Sequence, residues 1–464
     1  MSGLFFGLNI ARNTLRAQTS VLNTTAHNIA NANTPGYSRQ KTVLSSVTEK
    51  PIGGIWSGGT LNVGGGAEAT EIARYRFALY DQIFRNENQN LNDFIKTEEL
   101  MHQVELLFDE PSDRGLSATI SAFFNGWQEV ASEPQNMAAR QSLKSITEEL
   151  TSRFQRIYLQ LDTMREDINT EITAIPPLLN EITEEIASLN ASIRVATGQK
   201  SPANDLKDKR DSLVDELSEY VDVKVVEQKD GTYTVLMGAH VVVELDHHSE
   251  LHAVTRTVGA EANKRTVIVS DEGLEYTPYA GKVGALVKFR DNILTGIMGK
   301  LTEFTENFVE WINFEHRLGY GLDKQNNRNF FDPFKTNPYN ITVSTDIRDI
   351  THIAVSGDGT VGDNTNALRI HELKNMKLID QRYTFNEYYG ALIAEVGING
   401  REAKSGRMNE ELLVRQVDNA REGIRGVSMD EEIIQMIQAQ YIYQGASRII
   451  RVLDTLLEEI IRLK

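Results

Sequence analysis

Apolar residues recur every three or four positions from Leu143 to Ala196, which is the heptad spacing of a long amphipathic helix. Pro176 and Pro177 interrupt this run and remove backbone hydrogen-bond donors, yet the register of the apolar positions continues beyond them. We therefore expect one long rod with a kink, or two stacked helices, of about 80 to 90 Å at ~1.5 Å per residue. Gly198 is expected to end it.

The N-terminus predicts a second amphipathic helix, from about Leu4 to Ala30, because apolar residues recur there every seven positions. At the C-terminus, Ser428 to Glu431 has the sequence of a capping box, which predicts the start of a last helix. Each terminal helix has one apolar stripe to bury, either against the other helix or against neighbouring subunits. The predicted assembly interface consists of Leu8, Leu15, Leu22, Ile29, Ile433, Ile437, Ile449, Leu453, Leu456 and Ile460.

Charge is unevenly distributed along the chain. Residues 1–48 contain Arg12, Arg16, Arg39 and Lys41 but no acidic residue, so this segment carries +4 and the rest carries −21 of the total −17. An acidic protein repels the phosphates that supply most nucleic-acid affinity, which argues against a nucleic-acid partner. The chain has no cysteine, which excludes disulfides and metal–thiolate sites.

The sequence predicts neither membrane insertion nor a cleavable secretory signal. No uncharged apolar stretch approaches the about 20 residues that span a bilayer, and no basic residue precedes Leu4 to Phe6. We therefore expect the chain either to stay in the cytoplasm or to leave it by another route. At 464 residues it is expected to hold two to four domains, at about 150 residues each.

Turn and strand signals separate the helices. Pro35-Gly36 suits the two central positions of a type II turn after the first helix, and residues 51–66 hold seven glycines, which indicates an irregular or short-stranded linker. A return helix from Asp205 to Tyr220 should turn three leucines inward. These are Leu206, Leu213 and Leu217.

A small antiparallel β-domain is predicted over residues 222–278, because valine-rich runs flank the Asp230-Gly231 turn. Helical periodicity resumes at 283–318 and 382–425, with a strand-and-turn region at 323–362 between them. The expected fold is mainly α with inserted β. We expect three domains: terminal helices paired as a coiled coil (1–50 with 428–464), a long-helix bundle (65–220 with 281–427) and the outer β-domain (222–278).

Histidines in the β-region are the strongest candidate for a metal site. His247, His248 and His252 lie near Glu244, Asp246 and Glu250, but no helical stripe places two of these histidines on one face. We interpret them as part of a solvated loop, with a metal-binding enzyme as the remote alternative.

Other chemical motifs are weak. Ser356 to Thr360 and Gly362 to Asn364 lack the spacing of a calcium loop and indicate a turn between strands. The sequence also lacks a phosphate loop and a Gly-x-Ser-x-Gly elbow. We predict no enzyme activity, catalytic residue, metal or cofactor.

The segment after the first helix resembles the N-terminal motif of the rod, hook and hook-associated proteins of the bacterial flagellum. Its motif residues here are Asn28, Ala30, Asn31, Thr34, Pro35, Gly36 and Tyr37. Segments 123–127, 138–141, 204–211, 281–286, 330–331, 430–432 and 443–448 resemble one family within this group, that of the first hook–filament junction protein. The hook protein is the nearest alternative, since it should carry a β-rich middle instead of the long heptad helix.

The resemblance implies an elongated axial protein that is exported unfolded through the flagellar type III pathway and assembles outside the cell. The implied partners are further copies in a ring, the hook protein, the second junction protein, and an export chaperone bound to the C-terminal helix. The amphipathic ends are expected to stay poorly ordered in the monomer and to fold on assembly.

Overall fold

Helices form most of the chain wherever apolar residues follow a helical period. The computed structural model describes residues 2–48, 64–112, 115–199, 201–258 and 263–462. The helices are α1 (Ser2–Ala30), α2 (Ala78–Phe108), α3 (Leu116–Ser132), α4 (Met137–Gly198), α5 (Asn204–Tyr220), α6 (Gly281–Lys288), α7 (Thr295–Leu318), α8 (Thr365–Glu372), α9 (Phe385–Arg425) and α10 (Met429–Arg462). A π-helical turn, Phe289–Leu294, joins α6 to α7.

The strands form three sheets. The strands are β1 (Gln40–Thr48), β2 (Gly64–Arg74), β3 (Val223–Glu227), β4 (Tyr233–Met237), β5 (His240–Glu244), β6 (His247–His248), β7 (Leu251–Val258), β8 (Asn263–Ser270) and β9 (Glu275–Tyr276). Strands β1 and β2 pair as an antiparallel hairpin, β3 to β6 form an antiparallel meander in chain order, and β7 to β9 form a separate sheet. The mainly helical fold with antiparallel sheets is thus confirmed.

The long heptad run forms one helix. Helix α4 continues through Pro176 and Pro177 and ends at the predicted Gly198. Most of its apolar positions are buried, as the heptad pattern predicts, and Leu150, Leu161 and Ile186 are fully buried. The strand signals around the Asp230-Gly231 turn are also confirmed, and Gly231 takes the positive φ of +83° that such a turn needs.

Two sequence predictions were wrong. Leu206 is exposed, because α5 turns a face of charged residues inward, as described below. Residues 323–362 contain 3-10 turns and isolated bridges where strands were expected, and the described chain has no named strand there. Side chains cap these turns: the Ser344 hydroxyl accepts from the amide of Asp346, and Asp349 accepts from the amide of Thr351. Within the glycine-rich segment 51–66, residues 51–63 lie outside the described part, and Gly64 begins β2.

The chain divides into two compact units. The first comprises Met1–Asn88, Pro177–Leu251 and Glu411–Lys464, and the second comprises Gln89–Pro176 and His252–Glu410. The division into three domains stays a prediction. Among the described helices, none has the length and hydropathy needed to cross a bilayer.

The second unit is built around a cluster of aromatic rings. Its fully buried members are Phe123, Phe124, Trp127, Phe154, Phe304, Phe308, Phe330, Phe331 and Phe385. Neighbouring rings lie 5.1 to 6.5 Å apart and pack mostly edge-on or tilted, which is the favoured geometry for aromatic pairs. Arg140 is buried at the edge of this unit, where its guanidinium donates to the carbonyls of Pro134 and Ile353 at 2.8 and 2.7 Å.

Candidate assembly interface

The two terminal helices, α1 and α10, pack against each other in the first unit. Gly7 lies opposite Leu453, since a Cβ built on Gly7 would be 3.3 Å from Leu453 Cδ1. At the other end of α1, Asn28 Nδ2 donates to Glu432 Oε2 at 3.0 Å. Residues 7 and 28 are separated by as many positions as residues 432 and 453. The helices are therefore antiparallel and in a single register from end to end.

Small or polar side chains fill the contact between these helices. We call Gly7, Ala11, Gln18, Thr25 and Asn28 of α1 the inner seam, because they recur at heptad spacing and face α10. On α10, the small residues Ala439 and Ala446 are buried at the same spacing. A groove of about 280 Å³ remains between α1, β1 and α10. α1 thus contributes few large apolar side chains to the pairing, and Leu453 of α10 lies against Gly7.

The ten predicted interface residues fall into two groups. Five of them are half-buried: Leu8, Leu15, Leu22, Ile29 and Leu453. The other five are exposed by 41 to 53%: Ile433, Ile437, Ile449, Leu456 and Ile460. The sequence pattern placed them on one stripe, whereas α10 turns its small residues to α1 and these five outward.

The exposed side of α10 carries further large apolar side chains. Ile434, Tyr441 and Val452 are exposed by 54, 71 and 59%. We call Ile434, Ile437, Tyr441, Ile449, Val452 and Leu456 together the outer stripe. A helix with apolar residues on its seam and on its outer side is typical of one that is buried in its functional state.

Asn28 of the motif joins three elements through its side-chain amide. Its Nδ2 donates to the carbonyl of Gln40 at 2.9 Å and to Glu432 Oε2 at 3.0 Å. Its Oδ1 accepts from the amide of Gln40 and the hydroxyl of Tyr37, at 2.9 and 2.8 Å. Two donors and two acceptor lone pairs are the whole capacity of an amide, so this buried group is fully satisfied.

Glu432 is the partner of Asn28 on α10, and its side chain is only 1% exposed. The Nε of Arg39 donates to Glu432 Oε1 at 2.7 Å, and another nitrogen of the same guanidinium donates to Glu431 at 2.8 Å. Burial lowers the pKa of Arg39, but these carboxylates outweigh it and leave the pKa raised. Glu431, expected to complete a capping box, thus pairs with Arg39. A charge-assisted cluster holds the start of α10 against the end of α1.

The rest of the motif forms the reversal between α1 and β1. The amide of Tyr37 donates to the carbonyl of Thr34 at 3.2 Å, and Gly36 has φ of +78°, as a type II turn requires. Asn31 Nδ2 returns to the carbonyl of His27 at 3.0 Å and so binds one of the last carbonyls of α1. The predicted turn is confirmed. Ala30 and Pro35 are exposed.

A buried ion network lies on α5 beneath this turn. It consists of Arg74, Arg76, Arg85 and Arg421 with Asp81, Asp208, Asp211 and Asp215. Asp208, Asp211 and Asp215 are three or four positions apart and therefore share one face of α5. The amide of Ser38, which follows the motif, donates to Asp208 at 2.9 Å. The network thus fixes the turn onto α5.

Asp211 is the centre of this network and is fully buried. Its carboxylate accepts from Arg74 at 2.9 Å and from the Tyr233 hydroxyl at 2.7 Å, and it lies 3.0 Å from Arg76. Burial alone would raise the pKa of Asp211. The guanidiniums of Arg76, Arg74 and Arg85 outweigh burial and hold that pKa below its ordinary value. Asp211 is therefore charged at neutral pH.

The sequence contained a feature that indicates this network, but the apolar pattern did not single it out. Asp208 and Asp211 belong to the segment 204–211, which was singled out only by resemblance. A run of four charged residues from Lys207 to Arg210 normally indicates a solvated face, yet Arg210 is fully buried against the ring of Tyr233.

The histidines lie in strands, where the sequence predicted a solvated loop. His247 and His248 form β6 in the first unit, where His247 Nδ1 is 3.2 Å from Asp246. His252 belongs to β7 in the second unit, and its Nε2 is 3.0 Å from Asp271. His247 and His252 are exposed.

Comparison with known proteins identifies flagellar relatives along the whole chain. The family model of the helical domain of flagellar hook-associated protein FlgK matches residues 101–331. Models of the flagellar basal body rod proteins match both ends, at residues 8–37 and, for the C-terminal FlgEFG model, 425–463.

Individual relatives agree with these models. Flagellar hook-associated protein 1 of Bacillus subtilis is 27% identical, over 99% of this chain and 98% of that protein. The protein of the same name from Salmonella typhimurium is 23% identical, over 98% and 99%. The solved flagellar hook junction protein of Burkholderia pseudomallei superposes with a TM-score of 0.66 at 16% identity, covering 75% of this chain and all of that one.

Proposed function

Because the chain belongs to the flagellar hook-associated protein 1 family, we propose that it is a structural subunit of the bacterial flagellum that forms the junction between hook and filament. The outer stripe of α10 is the single observation within this chain that best supports such a role. A subunit that functioned alone would leave these six large apolar side chains in water. An axial subunit instead has neighbours against which to bury them.

The energy available from this burial is a substantial contribution to assembly. Full burial of one large apolar side chain contributes about 1.5 to 3 kcal/mol. The outer stripe is already partly covered, so about half of that range is available for each residue. Six residues then supply on the order of 5 to 9 kcal/mol before ordering costs, which is comparable to the stability of a small domain.

We also propose that the terminal helices form a coiled-coil domain, residues 1–50 with 428–464, which completes its folding on assembly. The inner seam buries small side chains, so the pairing of α1 with α10 gains little hydrophobic energy by itself. An isolated helix pair with so little burial is marginal in water. Asn28 and Glu432 set the register of the pair, and contacts between copies supply the missing stability.

The remaining chain is proposed to form the long-helix bundle, residues 65–220 with 281–427, and the outer β-domain, residues 222–278. The proposed neighbours are further copies in a ring, the hook protein on one side and the second junction protein on the other. The chain reaches this extracellular position unfolded, through the flagellar type III pathway. An export chaperone covers the apolar face of α10 before secretion.

The location is tested by immunogold labelling of intact flagella with antibody against residues 222–278. A labelled band between hook and filament is the expected result. Label along the hook would favour the hook-protein alternative, and label only inside cells would contradict an axial role.

The role of the outer stripe is tested in the same assay with the double variant Ile437→Asp, Val452→Asp. Both side chains are exposed, so the monomer keeps its fold while the junction band is lost. Gln416→Asp with Asn419→Asp is the matched control, since these exposed polar residues of the first unit lie outside α10 and receive the same charges. Equal bands in both double variants would show that the outer stripe is not an interface.

A further inference from the structure

The outer surface of α1 carries two arginines without a carboxylate nearby. Arg12 and Arg16 are exposed and one turn apart, and residues 1–48 contain no acidic residue. Within the described part of the chain, neither guanidinium forms an ion pair or a side-chain hydrogen bond. Like charges four positions apart repel each other on a helix, so this pair is unfavourable in the isolated chain.

Helix α10 carries the complementary feature near its end. Asp454 and Glu458 are also exposed and also one turn apart. The described chain holds no side-chain partner for either carboxylate. They lie one and five positions after Leu453, which faces Gly7 of α1. The first unit thus presents two cations on α1 and two anions on α10, where Arg451 and Arg462 also lie within about one turn of the anions.

The register of the helix pair prevents these charges from meeting within one chain. Leu453 is level with Gly7, and the helices run antiparallel, so Asp454 and Glu458 lie close to the level of the first residues of α1. Arg16 is ten positions away from the level of Asp454, and Arg12 is ten positions away from that of Glu458. At ~1.5 Å per residue both separations are about 15 Å along the helix axis.

A single displacement of a second copy along the helix axis would bring both oppositely charged pairs level. If a second copy is shifted along the axis by about 15 Å, its Asp454 comes level with Arg16 and its Glu458 comes level with Arg12. Both pairs match together because each is spaced by one helical turn and the helices are antiparallel. A scattered set of charges would not match at a single offset.

We propose that the outer face of α1 binds the last turns of α10 from a second copy of this chain, displaced by about 15 Å along the helix axis. Arg16 pairs with Asp454 of that copy, and Arg12 pairs with its Glu458. This proposal rests on the proposed assembly through the terminal helices. Exposed ion pairs add little affinity, so their role is to select this offset over others within the proposed assembly.

Charge reversal with complementation tests the pairing in flagellated cells whose only junction protein of this family is this chain. Arg12→Glu with Arg16→Glu, and separately Asp454→Arg with Glu458→Arg, are expected to reduce the number of immunogold-labelled junctions at least tenfold. The quadruple variant is expected to return to within twofold of the unmodified chain. Arg382→Glu with Arg401→Glu is the control, because it makes the same charge change at exposed positions of the second unit.

Cysteine cross-linking tests the offset itself, since the chain has no cysteine of its own. Cells produce one chain with Arg16→Cys and another, epitope-tagged, with Asp454→Cys, so any disulfide between the two joins different copies. Mild oxidation of assembled flagella should give at least ten times more mixed dimer than the control pair Asn23→Cys and Asp454→Cys. Asn23 lies on the same exposed face but about 10 Å further along α1.

The outcomes separate this proposal from the proposed function. Suppose that the unmodified chain gives a junction band. If the charge variants then assemble normally, or if both cysteine pairs cross-link equally, the pairing is overturned and the junction role stays intact. Loss of the band for the unmodified chain overturns the junction role and this pairing with it.

Discussion

Replacing Asp211 by asparagine tests whether the buried ion network holds the first unit together. The change keeps the shape of the side chain and removes one negative charge. The network then has four guanidiniums against three carboxylates, all within the first unit. The new amide would also place a donor at one of the two oxygens that accept from Arg74 and from Tyr233.

The expected cost is about 3 to 5 kcal/mol, which is the usual penalty for removing one partner of a buried ion pair. Several observations place Asp211 at the upper end. It is fully buried, and Arg76, Arg74 and Arg85 all lower its pKa. Because its folded pKa lies below the unfolded value of about 3.9, its contribution is present above pH 4 and is lost as pH falls through the folded pKa.

Amide hydrogen exchange at pH 7 measures this cost locally, which matters because a chain of two units need not unfold in one step. Peptides from α5 and β4 should lose protection corresponding to about 3 to 5 kcal/mol, while peptides from the second unit keep theirs. Asp205→Asn is the matched control on the same helix, since Asp205 has a 64% exposed side chain and should cost at most about 1 kcal/mol. A loss below about 1 kcal/mol for Asp211→Asn would refute the reasoning.

Three further predictions concern single groups. Asn28→Asp puts a second carboxylate about 3.0 Å from that of Glu432. Hydrogen exchange should therefore show that α1 loses about 3 kcal/mol of protection at pH 7, and less at pH 4, where the new group is protonated. Asn28→Ala should show no such pH dependence. Gly36→Val forces a β-branched residue to φ of +78° and should cost about 1 to 2 kcal/mol, measured as protection of β1 relative to the unmodified chain. Burial lowers the pKa of His316 to about 4. The unfolded chain therefore binds the proton at a higher pH than the folded chain does, and the second unit should lose about 3 kcal/mol of stability as pH falls from about 6.5 to 4. Tryptophan fluorescence reports the unfolding, and one of the three tryptophans, Trp127, has its ring 6.1 Å from that of His316. His316→Gln should remove the pH dependence, because an amide can make the same two hydrogen bonds without taking up a proton.

The helices could be predicted because their information is periodic and local. Helix α4 buries one residue every three or four positions, so its length and its end at Gly198 follow from counting. The turn after α1 could be predicted for a similar reason, since Pro35-Gly36 restricts its own backbone whatever surrounds it. In both cases the deciding residues are neighbours in sequence.

The polar contacts could not be predicted in this way, because they join residues far apart in sequence. Asn28 and Glu432 meet only once both terminal helices are folded and paired. The direction in which α5 faces was missed because apolar periodicity treats every aspartate as exposed. Asp211 is instead buried against three arginines from residues 74–85, far away in sequence. The outer stripe of α10 illustrates a further limit, since a pattern of apolar residues does not say which of two faces meets the same chain.

The two faces of the terminal helices differ in composition because the inner face pairs α1 with α10 and the outer face is available to neighbouring subunits. Large residues on the inner seam would make α1 and α10 a stable pair in the monomer and would leave less to gain on assembly. Small residues there let the helices approach closely, and the cluster of Asn28, Arg39 and Glu432 fixes their register by polar contacts. The large apolar residues stand on the outer stripe, where only a neighbour can cover them. In the proposed assembly, polymerisation would supply the energy that the monomer lacks, and the termini would reach full order there.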